Sequence, residues 1–531
     1  MNVKPPLLDK ISDYVDYHSD INPESIAFIY NNERISYRQC KYKVDDITKA
    51  MIAAGIKKGD RVATLSTPTP DFFTIFLACA SIGAIWIGYN PRHTRDELCY
   101  FTEDCRPKLI FSRTSIQSRE LIHDLSYIRE HNSDLLDIIS LDQFSNEHIS
   151  LFNTFIENGT DTEDKILNNY RKKVKAKDTA TIIYTSGTTG KPKGAMLTHL
   201  GLCKVFRNQI TYFTVDPLRL INFSPINHIG SLGDISCYCL IAGGTNIFLE
   251  KFDTYKVLKL MEEEKVTLWF GVPTTAQLCL QHSEFSTFDL SALQLIAFGG
   301  APPPINLLSQ LSKFDLPFCN TYGQTETTSS VTYAGPTENI DTIHYTVGKP
   351  VPEYQVRIIA SENQIAKVNE VGEIQVKGDF IMSGYWNNEI ETRKTFAKEN
   401  WLRTGDLGQF NEQGELILCG RIKEMFKSGG YNVYPIEIEE AISKHHFIQD
   451  TTVVSVKDDL FGEVGYAFFV CNEDSIIGSD ELENYCRKHL ANYKIPKKFI
   501  PIDELPMLPI GKIDRTQLKK MAFEIHNSKT Q

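Results

Sequence analysis

One segment of eleven residues constrains this chain of 531 residues more than any other. It reads YTSGTTGKPKG from Tyr184 to Gly194 and includes the end of an apolar run, 181–184, that is typical of a buried strand. Glycines let a backbone approach a phosphate closely, while hydroxyls, successive N–H groups and lysines donate to its oxygens. A Walker loop is excluded, because that pattern has Ser or Thr after its lysine whereas Pro192 follows Lys191. We interpret the segment as a phosphate-binding loop and not as a flexible polar turn.

Apolar runs that read as buried strands alternate with helical patterns through most of the chain. The clearest runs are 61–65, 108–111, 181–184, 246–249, 267–270 and 295–298. Such alternation is typical of α/β proteins with largely parallel sheets. After Val347 the strands become shorter and are separated by turn residues, as at 355–359, 372–376 and 414–418. The predicted fold class is α/β, with stacked, mostly parallel sheets, flanking helices and a small antiparallel portion in a large N-terminal domain.

A domain boundary is predicted near residues 420–423. Beyond it come a glycine pair and a segment over 435–442 that begins with proline and acidic residues, which is typical of a helix start. Strands at 452–456 and 466–470 and a helix at 479–490 complete a small α+β unit. We therefore expect a large domain over residues 1–421 and a small, mobile C-terminal domain over residues 422–531.

The composition excludes several classes of protein. Lys and Arg number 56 and Asp and Glu 67, a net charge of −11, so the global basic field of a nucleic-acid-binding protein is absent. The 12 cysteines form no CxxC pair and no Cys/His set with zinc spacing, which indicates reduced thiols. The N-terminal residues have no secretory pattern, so we expect a cytoplasmic protein.

The uncharged stretch from Phe72 to Asn90 is long enough to cross a bilayer. It contains glycines and small polar residues, which favour a different interpretation. We predict a buried helix over about 72–81, a break at Gly83 and a strand over 84–88, all within the core and not in a membrane.

Five ordered motifs resemble those of the adenylate-forming superfamily, which includes acyl-CoA synthetases, aryl-CoA ligases, firefly-type luciferases and peptide-synthetase adenylation domains. The loop at 184–194 resembles the phosphate loop of this superfamily. The other motifs are NTYGQTE at 320–326, WLRTGD at 401–406, GRIKEMFKSGG at 420–430 and LPMLPIGKIDR at 505–515. Because they cover nearly the whole chain in the right order, the chain is identified as a member of this superfamily, in its acyl-CoA ligase branch.

The resemblance implies a site for ATP and Mg²⁺. Tyr322 would stack on adenine, Thr325 would donate to the α-phosphate and Glu326 would bind the metal. Asp406 would accept hydrogen bonds from the ribose diol, with Arg421 as a charged donor nearby. The implied nucleotide-binding residues also include Thr185, Ser186, Gly187, Thr188, Thr189, Gly190, Lys191, Lys193, Gly299, Gly300, Ala301, Asn320 and Gly323.

The small domain carries further residues to which the resemblance assigns roles. Lys512 would stabilise the charge that develops on the carboxylate and the α-phosphate during adenylation. Lys423 occupies the position of the hinge. Ser428, Gly429 and Gly430 would line the tunnel for the pantetheine arm of CoA.

The implied reaction joins a carboxylic acid to CoA through an acyl-adenylate, with release of pyrophosphate and then of AMP. The partners are therefore a small carboxylic acid, ATP and CoA, and the oligomeric state is left open between monomer and homodimer. One alternative is a stand-alone adenylation enzyme that loads an acyl or amino acid onto a carrier protein. Another is a non-catalytic sensor of nucleotide or acyl groups, although the intact motifs favour an enzyme.

The acyl group itself is not specified by the motifs. His228 matches a position beside the substrate carboxylate, with a core histidine bonded to backbone as the alternative. Gly271 and Gly323 are expected to leave room for the acyl group. Polar residues at 230–234 keep a polar or aromatic acid open beside a fatty acid. The remaining pocket candidates are Val272, Phe298, Gly299 and Thr328.

Overall fold

The computed structural model describes residues 4–185, 191–360, 364–458, 460–472, 475, 477–508 and 512–527. The predicted α/β class is confirmed. Helices cover the sheets of a large N-terminal part, and a smaller part with its own sheet and cores follows. The predicted boundary falls in an exposed turn between the last strand of the large part, Leu416–Arg421, and the first strand of the small part, Phe426–Ser428.

Three sheets of the large part contain most of the parallel strands. The seven-stranded sheet has the order Lys193–Thr198, Thr179–Thr185, Ile85–Tyr89, Arg61–Leu65, Leu109–Ser112, Asp137–Ser140 and Ser150–Leu151. The five-stranded sheet has the order Leu268–Gly271, Leu295–Gly299, Phe318–Gln324, Ser329–Thr337 and Lys349–Pro350. The four-stranded sheet has the order Arg219–Asn222, Thr245–Phe248, Ile26–Tyr30 and Glu33–Ser36. Loops that follow parallel strands lie together at one edge of such a sheet.

The predicted antiparallel portion is also present. Its strands are Gln355–Ile359, Gly372–Lys377, Leu402–Phe410 and Leu416–Arg421, each antiparallel to the next. A short hairpin, Ser115–Ile116 and Arg119–Glu120, lies apart from these sheets.

Helices of the large part pack on the sheets, with short helical turns between them. They are Asp13–Ile21, Tyr37–Ala53, Pro70–Ile82, Arg95–Cys105, Ile122–His131, Phe152–Glu157, Asp164–Arg171, His199–Tyr212, Tyr238–Ala242, Thr254–Glu263, Pro273–Leu280, Ile305–Leu311, Ile340–Tyr345 and Glu389–Thr395. A π-helix, Gly230–Cys237, precedes the helix Tyr238–Ala242.

The uncharged stretch lies in the main core, as predicted. The helix Pro70–Ile82 is buried along its whole length and ends at Gly83, whose φ of +76° is left-handed. The chain then enters the strand Ile85–Tyr89 of the seven-stranded sheet. None of the helices in the described ranges has the length and apolarity that a bilayer span requires.

The small part is built on a five-stranded sheet with a helical layer on each face. Its strands are Phe426–Ser428, Tyr431–Val433, Ile448–Asp458, Gly462–Cys471 and Lys498–Pro501, and its helices are Pro435–Ser443, Ser479–His489 and Arg515–Asn527. Two separate apolar clusters, one on each face, give this part cores of its own.

We expect His199 to make the fold sensitive to acid. It begins the helix His199–Tyr212, is fully buried, and its ring nitrogens have no hydrogen-bond partner among the described residues. Burial lowers the pKa of His199 from 6.5 to about 4, although the charge of Asp178 opposes this. The unfolded chain therefore binds a proton that the native chain does not, and stability falls as the pH drops from 6.5 towards 4.

The predicted loss of unfolding free energy from His199 between pH 7 and pH 5 is about 2 kcal/mol. Urea unfolding at the two pH values measures it, and His199→Leu should reduce the difference by that amount. His123→Leu, at an exposed histidine, is the control and should leave the difference unchanged. An equal pH dependence in the wild type and His199→Leu would contradict the assignment.

Candidate active site

The phosphate loop joins two antiparallel strands, Thr179–Thr185 and Lys193–Thr198. The register places Thr185 opposite Lys193 at the end of this hairpin that adjoins the loop. The Nζ of Lys191 lies 5.5 Å from the centre of the Tyr100 ring, a cation–π distance. The predicted loop residues Ser186, Gly187, Thr188, Thr189 and Gly190 lie outside the described residues.

Lys193 contacts two side chains that the sequence analysis did not single out. Its Nζ lies 2.8 Å from Oε2 of Glu391 and 4.9 Å from the ring centre of Tyr385. Hydrogen bonds from Lys193 and then Lys394 lower the pKa of Glu391 to about 2. The lysine is thus held by a carboxylate, and an incoming phosphate would compete for the same ammonium group.

Glu326 faces the base of the phosphate loop. It lies in the short turn Thr325–Thr327, directly after the strand Phe318–Gln324. Its Oε1 accepts hydrogen bonds from the Tyr385 hydroxyl at 2.8 Å and the Thr185 hydroxyl at 3.3 Å. Burial and the charge of Glu326 raise the pKa of the Tyr385 phenol, so this hydroxyl stays a donor.

The donor set around Glu326 fits a magnesium ion that is shared with a substrate. No group of three or more His, Cys, Asp or Glu side chains in the described ranges could hold a metal ion alone. Mg²⁺ is usually bound by one or two carboxylates together with water and substrate phosphates. A single carboxylate beside a phosphate loop meets that requirement.

Asp406 is buried between two donors from different motifs. Its Oδ2 accepts from the Tyr322 hydroxyl at 2.8 Å, and its Oδ1 lies 3.0 Å from Nε of Arg421. Arg421 stands directly opposite Asp406 in the antiparallel sheet. Burial raises the pKa of Asp406, and the charge of Arg421 and the bond from Tyr322 oppose this. Each oxygen keeps a lone pair that a ligand hydroxyl could use.

Lys512 reaches from the small part into the same cleft. A Cβ at Gly300 would lie 3.2 Å from Cε of Lys512 and 3.6 Å from its Nζ. Gly300 also has a left-handed φ of +82°, so a side chain here would be strained as well as crowded. Burial and then the charge of Arg421 lower the pKa of Lys512, while Asp406 opposes this.

His228 lies at the start of the π-helix, on the Lys512 side of the cleft. Burial, then the charges of Lys512 and His93, lower its pKa to about 4, so its imidazole is neutral near pH 7. His93 is a second histidine that the sequence analysis missed, and its ring packs at a tilt against Phe101, with the ring centres 4.7 Å apart. A loop histidine 135 residues away carries no local signal that would have linked it to His228.

Two predicted residues have a different environment from the one expected. Gly323 does not leave room for an acyl group, because a Cβ there would lie 1.9 Å from the carbonyl oxygen of Ser329. That prediction was wrong, and the glycine is required by the close approach of two paired strands. Asn320 donates to the carbonyl of Ile343 at 3.1 Å, and its buried Oδ1 has no partner among the described residues.

Four other predicted residues lie at a strand end or in turns. Gly299 ends its strand beside Thr321, Ala301 is exposed in the next segment, and Thr325 opens the turn that carries Glu326. Lys423 lies in the exposed turn between the two parts.

The glycine pair forms a hairpin turn within the small part. Gly429 and Gly430, with φ of +56° and +87°, form the two-residue turn that follows Ser428. The N–H of Gly429 donates to the carbonyl of Phe461 at 2.9 Å, and Ser428 pairs with Gly462, both in the small part.

The sequence pattern of the AMP-binding enzyme family matches residues 15–386, and that of the AMP-binding enzyme C-terminal domain matches residues 437–512. The indoleacetate–CoA ligase of Aromatoleum aromaticum is 28% identical over 96% of this chain and 98% of its own. The feruloyl-CoA synthase of an Amycolatopsis species is 30% identical over 94% of this chain and 96% of its own.

Two solved structures have the same fold. ATP-bound MatB from Rhodopseudomonas palustris superposes with a TM-score of 0.82 at 26% identity, covering 97% of this chain and 99% of the other. The o-succinylbenzoate CoA synthetase of Bacillus subtilis, solved with its acyl-adenylate, gives a TM-score of 0.78 at 26% identity, with 95% and 97% covered. Acyl-CoA ligases of this family use ATP, Mg²⁺ and CoA. The chain belongs to the AMP-binding enzyme family, within the acyl-CoA ligase branch of the adenylate-forming superfamily.

Proposed function

We propose that this protein is an ATP-dependent carboxylic acid–CoA ligase. The observation that best supports this is the meeting of Lys512, Gly300, Asp406 and His228 around one cleft, with Lys512 supplied by the small part. That arrangement suits the activation of a carboxylate by a nucleotide, because an ammonium group lies near both a candidate ribose acceptor and a neutral imidazole.

In the first half-reaction, a carboxylate oxygen attacks the α-phosphorus of ATP. The bond between the α-phosphorus and the bridging oxygen breaks, and pyrophosphate leaves. We assign Lys512 to the charge that develops on the attacking carboxylate and the α-phosphate, and Thr325 to a hydrogen bond with that phosphate. Lys191 and Lys193 would neutralise the departing phosphates, with Lys193 exchanging Glu391 for phosphate oxygens.

Glu326 is the proposed ligand of Mg²⁺, which would supply charge neutralisation on the phosphates when bound. Tyr385 and Thr185 orient that carboxylate through their hydroxyls. Tyr322 and Asp406 would contact adenine and ribose, and Arg421 holds Asp406 in place.

In the second half-reaction, the sulfur of CoA attacks the acyl carbonyl and loses its proton, the carbonyl–oxygen bond to AMP breaks, and AMP leaves. We propose that the small domain, residues 422–531, rotates about Lys423 to withdraw Lys512 and bring up Ser428–Gly430. The exposed turn around Lys423 supports this, because it lies between parts that each have their own core.

The experiment is a panel of carboxylic acids assayed with MgATP for exchange of labelled pyrophosphate into ATP, and then with CoA for thioester formation. We expect both activities with the same acid. Exchange without thioester, restored by a carrier protein, would favour the alternative of a carrier-loading adenylation enzyme. Nucleotide binding without exchange for any acid would favour a sensor and overturn the proposal.

A further inference from the structure

Asp234 is a buried acid that the proposed reaction leaves without a role. It lies in the π-helix Gly230–Cys237 and is 8% exposed. The hydroxyl of Ser329 donates to its Oδ1 at 2.5 Å, and within the described ranges this is the only hydrogen bond to the carboxylate. Buried carboxylates are normally paired or fully hydrogen-bonded, because an unpaired one is strongly penalised by loss of water. The second oxygen, Oδ2, is open to a further donor.

Ser329 links this carboxylate to the strand that carries Tyr322 and to the turn that carries Glu326. It is the first residue of the strand Ser329–Thr337 and lies three positions after Glu326. It is paired with Gln324, and its carbonyl packs against Gly323. Thr328 and Ser329 both have left-handed φ values, +60° and +103°, and such strain in non-glycine residues is concentrated at functional sites.

The π-helix that carries Asp234 begins two residues after His228, whose carbonyl accepts from the N–H of Leu232 at 3.1 Å. His228, six positions earlier, is near Lys512, which is where the substrate carboxylate is proposed to lie. Six helical residues extend for no more than about 9 Å along the axis. A group at the far end of a short acid would therefore reach the level of Asp234 while its carboxylate remains near Lys512.

Burial has the largest effect on the pKa of Asp234. It raises the pKa of this carboxyl group to about 7, and the hydrogen bond from Ser329 opposes the shift only in part. Burial, and secondly the charge of Asp234, also raise the pKa of the Tyr333 phenol. The acid thus lies near Tyr333, and no cation among the described residues is found to lower its pKa.

We propose that Asp234 determines substrate specificity, by accepting a hydrogen bond from a hydroxyl or amino group at the far end of a short carboxylic acid. This inference rests on the proposed function and narrows it to acids that carry such a donor. An unsubstituted fatty acid would leave Oδ2 facing methylene groups, without water or a donor. Sites built to hydrogen-bond a polar substrate group discriminate strongly against analogues that lack it, because their own polar groups are then unpaired.

The test compares matched acids on one enzyme sample. The two series are para-hydroxybenzoate, para-aminobenzoate and benzoate, and the ω-hydroxy, ω-amino and unsubstituted forms of hexanoate. We expect kcat/KM for pyrophosphate exchange to favour a donor-bearing acid over its unsubstituted partner by about 10- to 100-fold in at least one series. Because each ratio is measured on the same sample, a misfolded fraction cancels.

Two variants test whether Asp234 causes the preference for donor-bearing acids. Asp234→Leu should abolish or reverse it. Asp234→Asn, nearly identical in shape, should keep part of a preference for the hydroxyl but lose one for an ammonium group, because only the latter needs a negative charge. Asp450→Asn is the matched control, since burial also raises the pKa of Asp450, to about 6, but it lies in the small part on the strand Ile448–Asp458.

Two outcomes separate this inference from the proposed function. Activation of other acids, with no preference for donors in either series or with the same ratio in Asp234→Leu, would overturn the inference and leave the ligase intact. Absence of exchange with every acid would overturn the proposed function itself.

Discussion

Lys512→Ala should lower pyrophosphate exchange by about 100- to 1,000-fold, the range seen when one preorganised donor to a developing charge is removed. Lys512 has its Cε against Gly300, and Asp406 and Arg421 both influence its charge. We propose that the ammonium group is held where the carboxylate and the α-phosphate would meet. Alanine removes that charge and leaves the backbone of the cleft unchanged.

The same variant should transfer a chemically prepared acyl-adenylate to CoA at a rate within about twofold of the wild type, because that step needs no stabilisation of the attack on phosphorus. Both half-reactions are measured separately by stopped-time assays on one preparation. Lys519→Ala, an exposed lysine on the following helix, is the matched control and should affect neither. Equal loss in both half-reactions would show that Lys512 is not specific to adenylation.

Glu326→Gln should lower pyrophosphate exchange by about 100-fold and raise the Mg²⁺ concentration needed for half-maximal rate by about 10-fold or more. Glutamine can still accept the hydrogen bonds that Tyr385 and Thr185 donate to Oε1, so the local geometry is kept while the negative charge is removed. A titration of exchange rate against Mg²⁺ measures both effects.

Tyr385→Phe separates the charge of Glu326 from its orientation. It removes one donor to Oε1, and we expect a loss of up to about 10-fold, smaller than that of Glu326→Gln. Glu338→Gln, at an exposed position, should leave the Mg²⁺ dependence unchanged. An unaltered Mg²⁺ requirement in Glu326→Gln would remove Glu326 as the metal ligand.

Much of the local structure could be predicted from sequence patterns. The run 61–65 and the run 355–359 are strands with the predicted bounds, and the helix predicted at 72–81 extends over Pro70–Ile82. Their periodicity and their glycine and proline positions are local, so a short window contains the signal. The strand Lys193–Thr198 was not predicted. It pairs antiparallel with Thr179–Thr185 across the phosphate loop.

The candidate site likewise has residues that sequence motifs predict and contacts that only the fold decides. Glu326, Asp406, Arg421 and Lys512 stand in motifs that could be recognised because all of them occur in order, and their roles stay predictions. The structure brings Asp406 and Arg421 together and places Lys512 close enough for their charges to act on it. Gly323 shows the limit of such reasoning, because its neighbour Ser329 is set by the pairing of two strands and not by the motif itself.

By itself, the sequence determined the α/β class and the family motifs, and it predicted the residues that would hold a nucleotide and a boundary near Lys423. Only the tertiary structure decided which side chains neutralise or orient the charged groups of the candidate site: Glu391 for Lys193, Tyr385 for Glu326, and Ser329 for Asp234. These pairs are separated by 198, 59 and 95 residues. No local pattern encodes such a pair, because its two members meet only when the packing of sheets and helices brings distant loops to the same edge.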